Sequence, residues 1–542
     1  MSVEFSVRTR AANLEAMASS PVDILVIGGG IVGAWTALAA TLRGYRSALV
    51  EKGDFASGTS GKTSRLIHGG LRYLQRFRIR LVRQAARERD LLLKTAPRLV
   101  KPLTFLIPVY RGRGPRGWQL RVGLFLYDAL SREKILPRRR WVSRDEALHL
   151  EPQLSPEGLV NAALYSDAVT HDARLVLRVI QAAGDAGALV ANYATVTGLL
   201  REGGTVRGAK VLDEETRTER EVRAKAVVNA TGVWSADLQP SEKRLRLRPT
   251  KGIHAFVPRD RIGHQHAVVL TARDGRVVFV LPWGSLTLIG TTDTDYRGDR
   301  DRVEADPEDV EYLLSTVNAA FPRAALRDEH VVGAYAGLRP LLDRGEAKES
   351  DISRKHEIVV TPDRLITVAG GKLTTARAIA EEVLSVVEGQ GLLRAPATAV
   401  DTRSFPLAPM PQKSAIDEIR GLVGDPDVLA RLAEIAALEM AREWGTKRPE
   451  LLHRMMAGTN ASGLEVVYSA RREMVVHLDD LMTRRTGLGY EMRDGGLHIA
   501  PAIAELVGEE LGWDAERRAL EIAQYRDAVM AAHRWREATG HG

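Results

Sequence analysis

The sequence predicts an α/β chain in which a parallel-sheet domain is interleaved with an antiparallel-sheet domain and followed by an all-helical domain. Residues 22–51 alternate strand, glycine turn, helix and strand, which is typical of a parallel sheet. Between Lys251 and Arg339, closely spaced strands joined by short turns favour an antiparallel sheet. Beyond Ser414 nearly every segment has a helical pattern, which predicts the third domain.

The opening strand leads into a glycine-rich turn. The apolar run from Val22 breaks into Gly28, Gly30 and Gly33, and an Ala- and Leu-rich helix follows. This spacing suits a tight turn, close approach of backbone to a pyrophosphate, and close packing of helix on strand. A second strand ends at Glu51, about 20 residues further on, where a ribose hydroxyl is usually bound. We therefore expect a bound dinucleotide.

Composition limits the chemistry that the chain can perform. The 542 residues include 77 Lys and Arg against 69 Asp and Glu, a formal charge of +8 that suits an anionic substrate, an anionic membrane or nucleic acid. The absence of cysteine excludes disulfides, thiolate catalysis and iron–sulfur clusters, so redox chemistry requires an organic cofactor. No apolar run reaches 18 residues and no secretory signal is recognisable, so we expect a cytoplasmic protein, or one at the cytoplasmic face of the membrane.

The remaining elements follow from local patterns. Small polar residues from Gly53 to Gly70 predict a long ligand-facing loop. The strand that ends in Asn229 runs into Ala230-Thr-Gly232, where backbone can approach a cofactor, and Leu365–Thr375 repeats the strand–glycine–helix pattern. Other predicted elements are a helix within Leu14–Ala18, a helix over Leu81–Ala96, a strand over Leu103–Val109, a helical turn over Trp141–Leu150 capped by Ser143, and a helix that opens at Asp172.

Six motifs carry a resemblance to a known family. They are, in chain order, Gly28-Gly-Gly-Ile-Val-Gly33, Leu66-Ile-His68-Gly69-Gly70-Leu71-Arg72-Tyr73-Leu74, Asn229-Ala-Thr-Gly232, Gly290-Thr-Thr-Asp293, Gly337-Leu-Arg339-Pro340 and Gly370-Gly-Lys372-Leu-Thr-Thr375. Together they resemble the FAD-dependent glycerol-3-phosphate dehydrogenase family over about residues 20–390, and the helical tail resembles its C-terminal domain more loosely. The segment from His68 to Tyr73 is far more specific than the glycine fingerprint, which many flavin and nicotinamide enzymes share.

The resemblance implies a Rossmann-like FAD-binding domain of the glutathione-reductase or D-amino-acid-oxidase type, interleaved with an antiparallel substrate domain. We expect a lead-in over residues 1–20, an FAD-binding domain over 21–100, 150–250 and 350–390, a substrate-binding domain over 101–149 and 251–349, a linker over 391–412, and a helical domain over 413–542. The residues expected to bind FAD are Gly28, Gly30, Gly33, Glu51, Thr59, Ser60, Ser64, His68, Gly69, Ala230, Gly232, Gly370, Gly371, Leu373 and Thr374.

The resemblance further implies oxidation of sn-glycerol 3-phosphate to dihydroxyacetone phosphate, with hydride passing to FAD and electrons to a membrane quinone. It places Arg72, Arg354, Lys372 and Thr375 at the substrate. Cations suit a phosphate dianion, and guanidinium groups suit its oxygens best. Removal of the hydroxyl proton requires a base, for which His254 is the candidate. Arg339 and Tyr73 would hold the developing alkoxide and ketone. No metal site is expected.

Several alternatives remain open at this level. An oxidase that uses the same substrate but reduces oxygen to peroxide is one, and a flavin oxidase of amino acids or amines is another. An RNA-binding role has only the basic charge in its favour, and no nucleic-acid partner is expected. The alternating cations of Arg76–Arg83 could lie against anionic headgroups in a peripheral membrane contact, or they could be the solvated edge of a core element. The chain could also form a homodimer.

Overall fold

The computed structural model describes residues 4–71, 74, 78–112, 114, 117–131, 135–240, 245–343, 356–393, 400–445, 447–455 and 459–537. Within these ranges no helix has the length and hydropathy needed to span a bilayer. The strands are β1 (Val22–Ile27), β2 (Ser47–Val50), β3 (Leu66–Ile67), β4 (Val100–Tyr110), β5 (Arg140–Ser143), β6 (Leu159–Thr170), β7 (Leu189–Ala191), β8 (Ala194–Glu202), β9 (Thr205–Asp213), β10 (Thr218–Asn229), β11 (Thr250–Pro258), β12 (Ala267–Thr271), β13 (Val277–Trp283), β14 (Leu286–Gly290), β15 (Thr294–Asp295), β16 (Gly333–Arg339), β17 (Glu357–Val360) and β18 (Ile366–Ala369).

The helices lie between and after these strands. They are α1 (Val7–Ser19), α2 (Ile31–Leu42), α3 (Ile79–Thr95), α4 (Gly117–Leu130), α5 (Arg144–Leu150), α6 (Asp172–Asp185), α7 (Arg259–Ile262), α8 (Pro307–Ala320), α9 (Ala376–Gly389), α10 (Lys413–Val423), α11 (Pro426–Glu434), α12 (Leu438–Trp444), α13 (Gly463–Arg472), α14 (Leu488–Glu491), α15 (Ala500–Leu511), α16 (Ala515–Ala532) and α17 (Arg534–Glu537).

The first sheet forms the floor of the cofactor domain. Its strand order is β17-β18-β10-β1-β2-β7, and β1 pairs in parallel with both β2 and β10. Helices α2, α6 and α9 cover one face through a shared apolar core that includes Leu38, Val179 and Ile379. The other face packs against α1 and the β8–β9 hairpin. The carboxyl ends of β1, β10 and β18 therefore meet at one edge, as expected for a dinucleotide fold.

The second sheet is mainly antiparallel. Its order is β15-β11-β14-β13-β12-β4-β6-β3, with β16 paired to β11 and β5 paired to β6. Helix α8 contributes to the core on one face, and α4 contributes Leu120 and Leu124 to the core on the other. The α/β class with an antiparallel second sheet is thereby confirmed. The all-helical tail is confirmed as well, since α10 to α16 enclose two apolar clusters of their own.

Two strands lie in a different sheet from the one that the predicted domain boundaries imply. Strand β6 falls in the segment 150–250 and β3 in 21–100, both assigned to the cofactor domain, yet both belong to the second sheet. Strand β6 pairs with β4 along nearly its whole length. It is buried on both faces over most of its residues, so its sequence shows no alternation that would reveal a strand.

The predicted secondary structure of residues 141–150 is also wrong in part. The predicted helical turn over Trp141–Leu150 is instead a short strand, β5, followed by helix α5. Ser143 does cap this helix, because its hydroxyl accepts the amide hydrogen of Glu146 at 3.2 Å. Helix α1 is also longer than the predicted Leu14–Ala18.

Candidate active site

A groove opens where the parallel strands of the first sheet end. Gly28 follows β1, Ala230 follows β10 and Gly370 follows β18, and the cavity between them has a volume of about 340 Å³. The predicted cofactor residues that line it are Gly28, Gly30, Glu51, Thr59, Ser60, Ala230, Gly232, Gly370, Gly371 and Leu373. Three distant parts of the chain, each recognised by its glycines, thus contribute to one groove.

The glycines at this groove are required by close contacts. Gly28 has a φ of +112°, and a Cβ there would lie 2.6 Å from the carbonyl oxygen of Ala230. A Cβ on Gly33 would lie 1.9 Å from the carbonyl oxygen of Gly28, so Gly33 lets α2 pack under the turn rather than line the groove. The N-terminus of α2 faces this turn, and its first amide, from Ile31, donates to Ser60 Oγ at 3.0 Å.

Glu51 stabilises the glycine turn from below. Its carboxylate accepts the amide hydrogens of Gly29 at 2.6 Å and Gly53 at 3.0 Å. Burial raises the pKa of Glu51, and the two amides oppose this increase. The side chain also lines the groove, so contact with a ribose stays a prediction that this position permits.

Four other predicted cofactor residues lie beside the groove rather than in its lining. Ser64 Oγ is 2.8 Å from His254 Nε2, so Ser64 contacts the predicted base. The backbone amide of His68 donates to Thr374 Oγ1 at 3.2 Å, which ties the loop before α3 to the third glycine segment. The amide of Gly69 donates to Tyr127 Oη at 2.8 Å.

His254 lies on β11, in a packed setting. Its ring stacks on Tyr335 with centroids 5.0 Å apart, and Nε2 is within hydrogen-bond distance of Ser64. A Cβ on Gly290, its partner on β14, would lie 2.1 Å from His254 Cδ2, so only glycine fits opposite this ring. Burial, then the charges of Arg339 and Arg65, hold the pKa of His254 well below 6.5. The imidazole is therefore neutral at neutral pH, which is the form that a base requires.

Arg339 is fixed by the residues that follow Gly290. Its guanidinium donates to Asp293 Oδ1 at 3.0 Å, to Thr291 Oγ1 at 2.9 Å and to the carbonyl oxygen of Thr292 at 3.0 Å. A Cβ on Gly252 would lie 2.3 Å from Arg339 Nη2, so the guanidinium lies over Gly252.

Gly252 and His254 are two residues apart on β11 and therefore project to the same face of the sheet. The sheet thus brings Arg339 and His254 together on one surface. The residues that position them, Thr291, Asp293, Gly252 and Gly290, were not predicted as site residues. The motif Gly290-Thr-Thr-Asp293 was the signal that could have identified three of the four.

The remaining predicted substrate residues divide into two groups. Lys372 lines the groove, and Thr375 is buried at the start of α9. Arg72, Tyr73 and Arg354 lie outside the described residues, so their predicted roles stay predictions. Of the basic stretch 76–83, Arg80 and Arg83 are exposed on α3, and Arg76 lies outside the described residues.

The fold and the groove define an FAD-dependent oxidoreductase. The family model described as FAD dependent oxidoreductase matches residues 23–385, and the C-terminal domain of alpha-glycerophosphate oxidase matches residues 429–518. The groove suits FAD on structural grounds, because glycine at positions 28 and 30 leaves space that a Cβ would fill against Ala230 and Ser60. The helix N-terminus beside it suits a pyrophosphate.

Proteins of similar sequence and structure identify the family more closely. A glycerol-3-phosphate dehydrogenase of Mycobacterium leprae is 37% identical over 96% of this chain and 90% of its own length. The aerobic glycerol-3-phosphate dehydrogenase of Staphylococcus aureus is 33% identical over 94% of both chains. The crystal structure of the glycerol-3-phosphate dehydrogenase from Bacillus halodurans, complexed with FAD, superimposes with a TM-score of 0.80 at 28% identity, covering 97% of this chain and 98% of that one. The chain belongs to the glycerol-3-phosphate dehydrogenase family.

Proposed function

We propose that the protein oxidises sn-glycerol 3-phosphate to dihydroxyacetone phosphate, using FAD, and that a membrane quinone receives the electrons. The observation that carries this proposal is the pairing of a neutral, buried His254 with an anchored Arg339 on one face of the second sheet. A secondary alcohol that loses a hydride must also lose its hydroxyl proton, so a base and a fixed cation at the same oxygen are what the reaction requires.

FAD, when bound along the glycine-lined groove, supplies the two-electron acceptor for this oxidation. The chain's own residues supply geometry and charge. His254 accepts the proton of the substrate hydroxyl, and its neutral state leaves it free to do so at neutral pH. Arg339 stabilises the negative charge that develops on that oxygen, at little reorganisation cost because Thr291 and Asp293 already hold the guanidinium.

Cations at the other end of the substrate bind the phosphate. Lys372 lines the groove directly after Gly370 and Gly371. It precedes the short 3-10 helix Leu373–Thr375, which leads into α9. Arg72 and Arg354 are assigned to the same role by resemblance alone. Several cations suit a dianion better than the monoanionic carboxylate of an amino acid, which favours a phosphorylated substrate.

An anaerobic titration tests the reaction. Addition of sn-glycerol 3-phosphate to the purified holoenzyme should bleach the oxidised flavin band, whereas glycine and other amino acids should not. We expect Arg339→Ala to lose most of the activity and Arg72→Ala to raise the substrate concentration that is needed, both with flavin retained. His254→Asn should slow flavin reduction without abolishing substrate binding. Bleaching by an amino acid alone, or wild-type kinetics in all three variants, would overturn the proposal.

The electron acceptor is tested separately. The alternative is an oxidase that passes electrons to oxygen. Fold alone does not distinguish the two kinds of enzyme, because an L-alpha-glycerophosphate oxidase from Mycoplasma pneumoniae superimposes with a TM-score of 0.53 at 18% identity. The superposition covers 72% of this chain and all of that one. After anaerobic reduction by substrate, the flavin should be reoxidised rapidly by a short-chain quinone and slowly by oxygen. Rapid formation of hydrogen peroxide would favour the oxidase.

A further inference from the structure

Tyr335 lies against the ring of His254 on the second sheet. It is on β16 and pairs directly with His254 of β11, and the two rings stack with centroids 5.0 Å apart at an interplanar angle of 25°. Gly290 pairs with His254 from the other side, on β14. Cross-strand neighbours project to one face of a sheet. The imidazole is therefore flanked by the backbone of Gly290 on one side and by the phenol ring of Tyr335 on the other.

The hydroxyl group of Tyr335 also supports the other contact of the base. It donates to the carbonyl oxygen of Thr63 at 2.6 Å. The next residue along the chain, Ser64, has its Oγ 2.8 Å from His254 Nε2. Nδ1 of the same ring is buried and has no hydrogen-bond partner among the residues that the structure describes. One hydrogen bond does not fix the plane of an imidazole, so the stack on Tyr335 determines that plane.

Tyr335 is in turn packed against the helical C-terminal domain. Tyr490 of α14 contacts it with ring centroids 5.3 Å apart. The backbone of α14 lies directly on the first residue of β16, because a Cβ on Gly333 would lie 2.4 Å from the carbonyl oxygen of Tyr490. Glu491 Oε1 accepts the indole hydrogen of Trp283, on β13, at 2.8 Å. Helix α14 is therefore held against two strands of the second sheet.

The short helix α14 contributes to two different cores. Leu488 is buried in an apolar cluster of the helical domain together with Leu481 and Ile503. Tyr490, two residues later, packs against the cluster of the second sheet that contains Tyr335. The position of Tyr335 therefore depends on how the helical domain packs.

We propose that Tyr335 and Tyr490 are positioning residues of the reaction: Tyr490 holds Tyr335 against His254, and the helical domain thereby takes part in orienting the base. The inference rests on the proposed function, in which His254 accepts the proton of the substrate hydroxyl. Both tyrosines act through His254. A misplacement of about 1 Å slows a reaction on the order of 100-fold, so a packing contact at this distance from the reacting atoms is enough to affect the rate.

Stopped-flow measurement of flavin reduction in the holoenzyme by sn-glycerol 3-phosphate tests the proposal. Tyr490→Leu should lower the limiting rate of reduction roughly tenfold and leave the dissociation constant of the substrate within about twofold of the wild-type value. Tyr490→Phe keeps the ring and should restore the rate. Tyr335→Leu should slow reduction on the order of 100-fold. Tyr335→Phe keeps the stack and loses only the hydrogen bond to Thr63, so it should slow reduction less than Tyr335→Leu.

The pH profile of flavin reduction gives a readout that a loss of stability alone would not move. The charged groups that act on His254 are Arg339 on β16 and Arg65 in the loop before β3, and both cations add to the effect of burial in lowering its pKa. Removal of the phenol ring in Tyr335→Leu admits water beside the imidazole and weakens the effect of burial. Because only the neutral imidazole accepts a proton, the acid limb of the profile should move to higher pH, toward 6.5.

Chemical modification of His254 gives a readout that needs no substrate. Its side chain is buried, so diethyl pyrocarbonate should modify it slowly in the wild-type holoenzyme, as measured by peptide mass spectrometry. Tyr335→Leu and Tyr490→Leu should each raise this rate roughly tenfold, because they open the packing around the ring. The measurement holds even if sn-glycerol 3-phosphate is not the substrate, so a failure of the proposed reaction is seen separately.

The matched control is Tyr468→Leu on α13. Tyr468 is another partly buried tyrosine of the helical domain, and it packs against the apolar cluster formed by α10 to α13. This variant should keep wild-type rates of flavin reduction and of His254 modification. Wild-type values of both rates in Tyr490→Leu would overturn the proposal. So would an equal loss in Tyr468→Leu, because the rate would then follow the stability of the helical domain as a whole.

Discussion

Asp54, in the loop that follows β2, ties the cofactor domain to the C-terminal domain. Its carboxylate is fully buried and accepts hydrogen bonds from Arg484 at 2.5 Å and from Arg485 at 2.5 and 2.9 Å. Burial by itself would raise the pKa of Asp54, but Arg485 and Arg484 outweigh it and lower that pKa below its usual range. The carboxylate is therefore ionised throughout the physiological pH range.

Replacement of Asp54 by Asn keeps the shape and removes the charge. Arg484 retains Asp479 and Asp480, each at 2.8 Å, whereas Arg485 retains only the carbonyl oxygen of Glu473 among its hydrogen-bond partners in the described chain. Removing one partner of a buried pair costs about 3–5 kcal/mol, and because Arg484 stays paired we expect about 3 kcal/mol. This corresponds to a roughly 100-fold larger population in which the contact is open.

Hydrogen exchange measured by mass spectrometry reports this population. In the variant, peptides that cover residues 51–58 and 474–486 should exchange roughly 100-fold faster, while peptides of the second sheet should be unchanged. Asp301→Ala is the control, because it removes an exposed pair with Lys52 that is worth less than about 1 kcal/mol. If the peptides of Asp54→Asn exchange no faster than those of this control, the buried ion pair does not hold the loop after β2 against the C-terminal domain. The contribution of Asp54 should persist as pH falls to about 4 and decline below it, because the folded pKa lies below 3.8.

Two further predictions concern the active site and the pH response. Gly290→Ala places a methyl group 2.1 Å from the His254 ring, so flavin reduction should slow by at least roughly tenfold with FAD retained. Gly198→Ala is the control and should behave as wild type, because a Cβ there meets nothing within 4 Å. Equal rates of flavin reduction in the two variants would refute the packing argument. Although burial lowers it, the pKa of His477 is raised to about 10 by Glu215 and Glu521. Its stabilising contribution is complete below about pH 6.5 and is lost as pH rises through 10. The thermal unfolding temperature of the wild type should therefore fall over this window more than that of His477→Gln. Parallel pH profiles for the two proteins would exclude this role.

Local sequence identified the glycine segments that line the groove. Gly28 and Gly33 act within one turn and one helix, so their spacing is enough to predict the tight turn and the close packing of α2. The same holds for Gly370 and Gly371, which repeat the pattern at the end of a parallel strand and line the same groove. FAD as the cofactor was predicted from the resemblance and is confirmed by the family.

Residues that act across strands were harder to predict. Ser64 was assigned to the cofactor because it lies in a loop rich in small polar residues, yet it contacts His254, 190 positions away. Thr291 and Asp293 belong to a motif that carries the resemblance but were given no role, and only the pairing of β11 with β14 and β16 shows that they hold Arg339. Sequence spacing carries no information about such contacts.

Exposure is the property that no pattern in α4 could supply. Its sequence is apolar on both sides, which favours a buried helix, and the structure leaves Trp118 and Phe125 in the open. The contrast has one physical cause. The glycine fingerprint, the helix caps and the strand periods depend on neighbours within a few residues, so the chain alone specifies each glycine segment that lines the groove. Which face is covered, which sheet receives β6 and which groups hold His254 and Arg339 depend on packing between distant segments, and these appear only when the chain is folded.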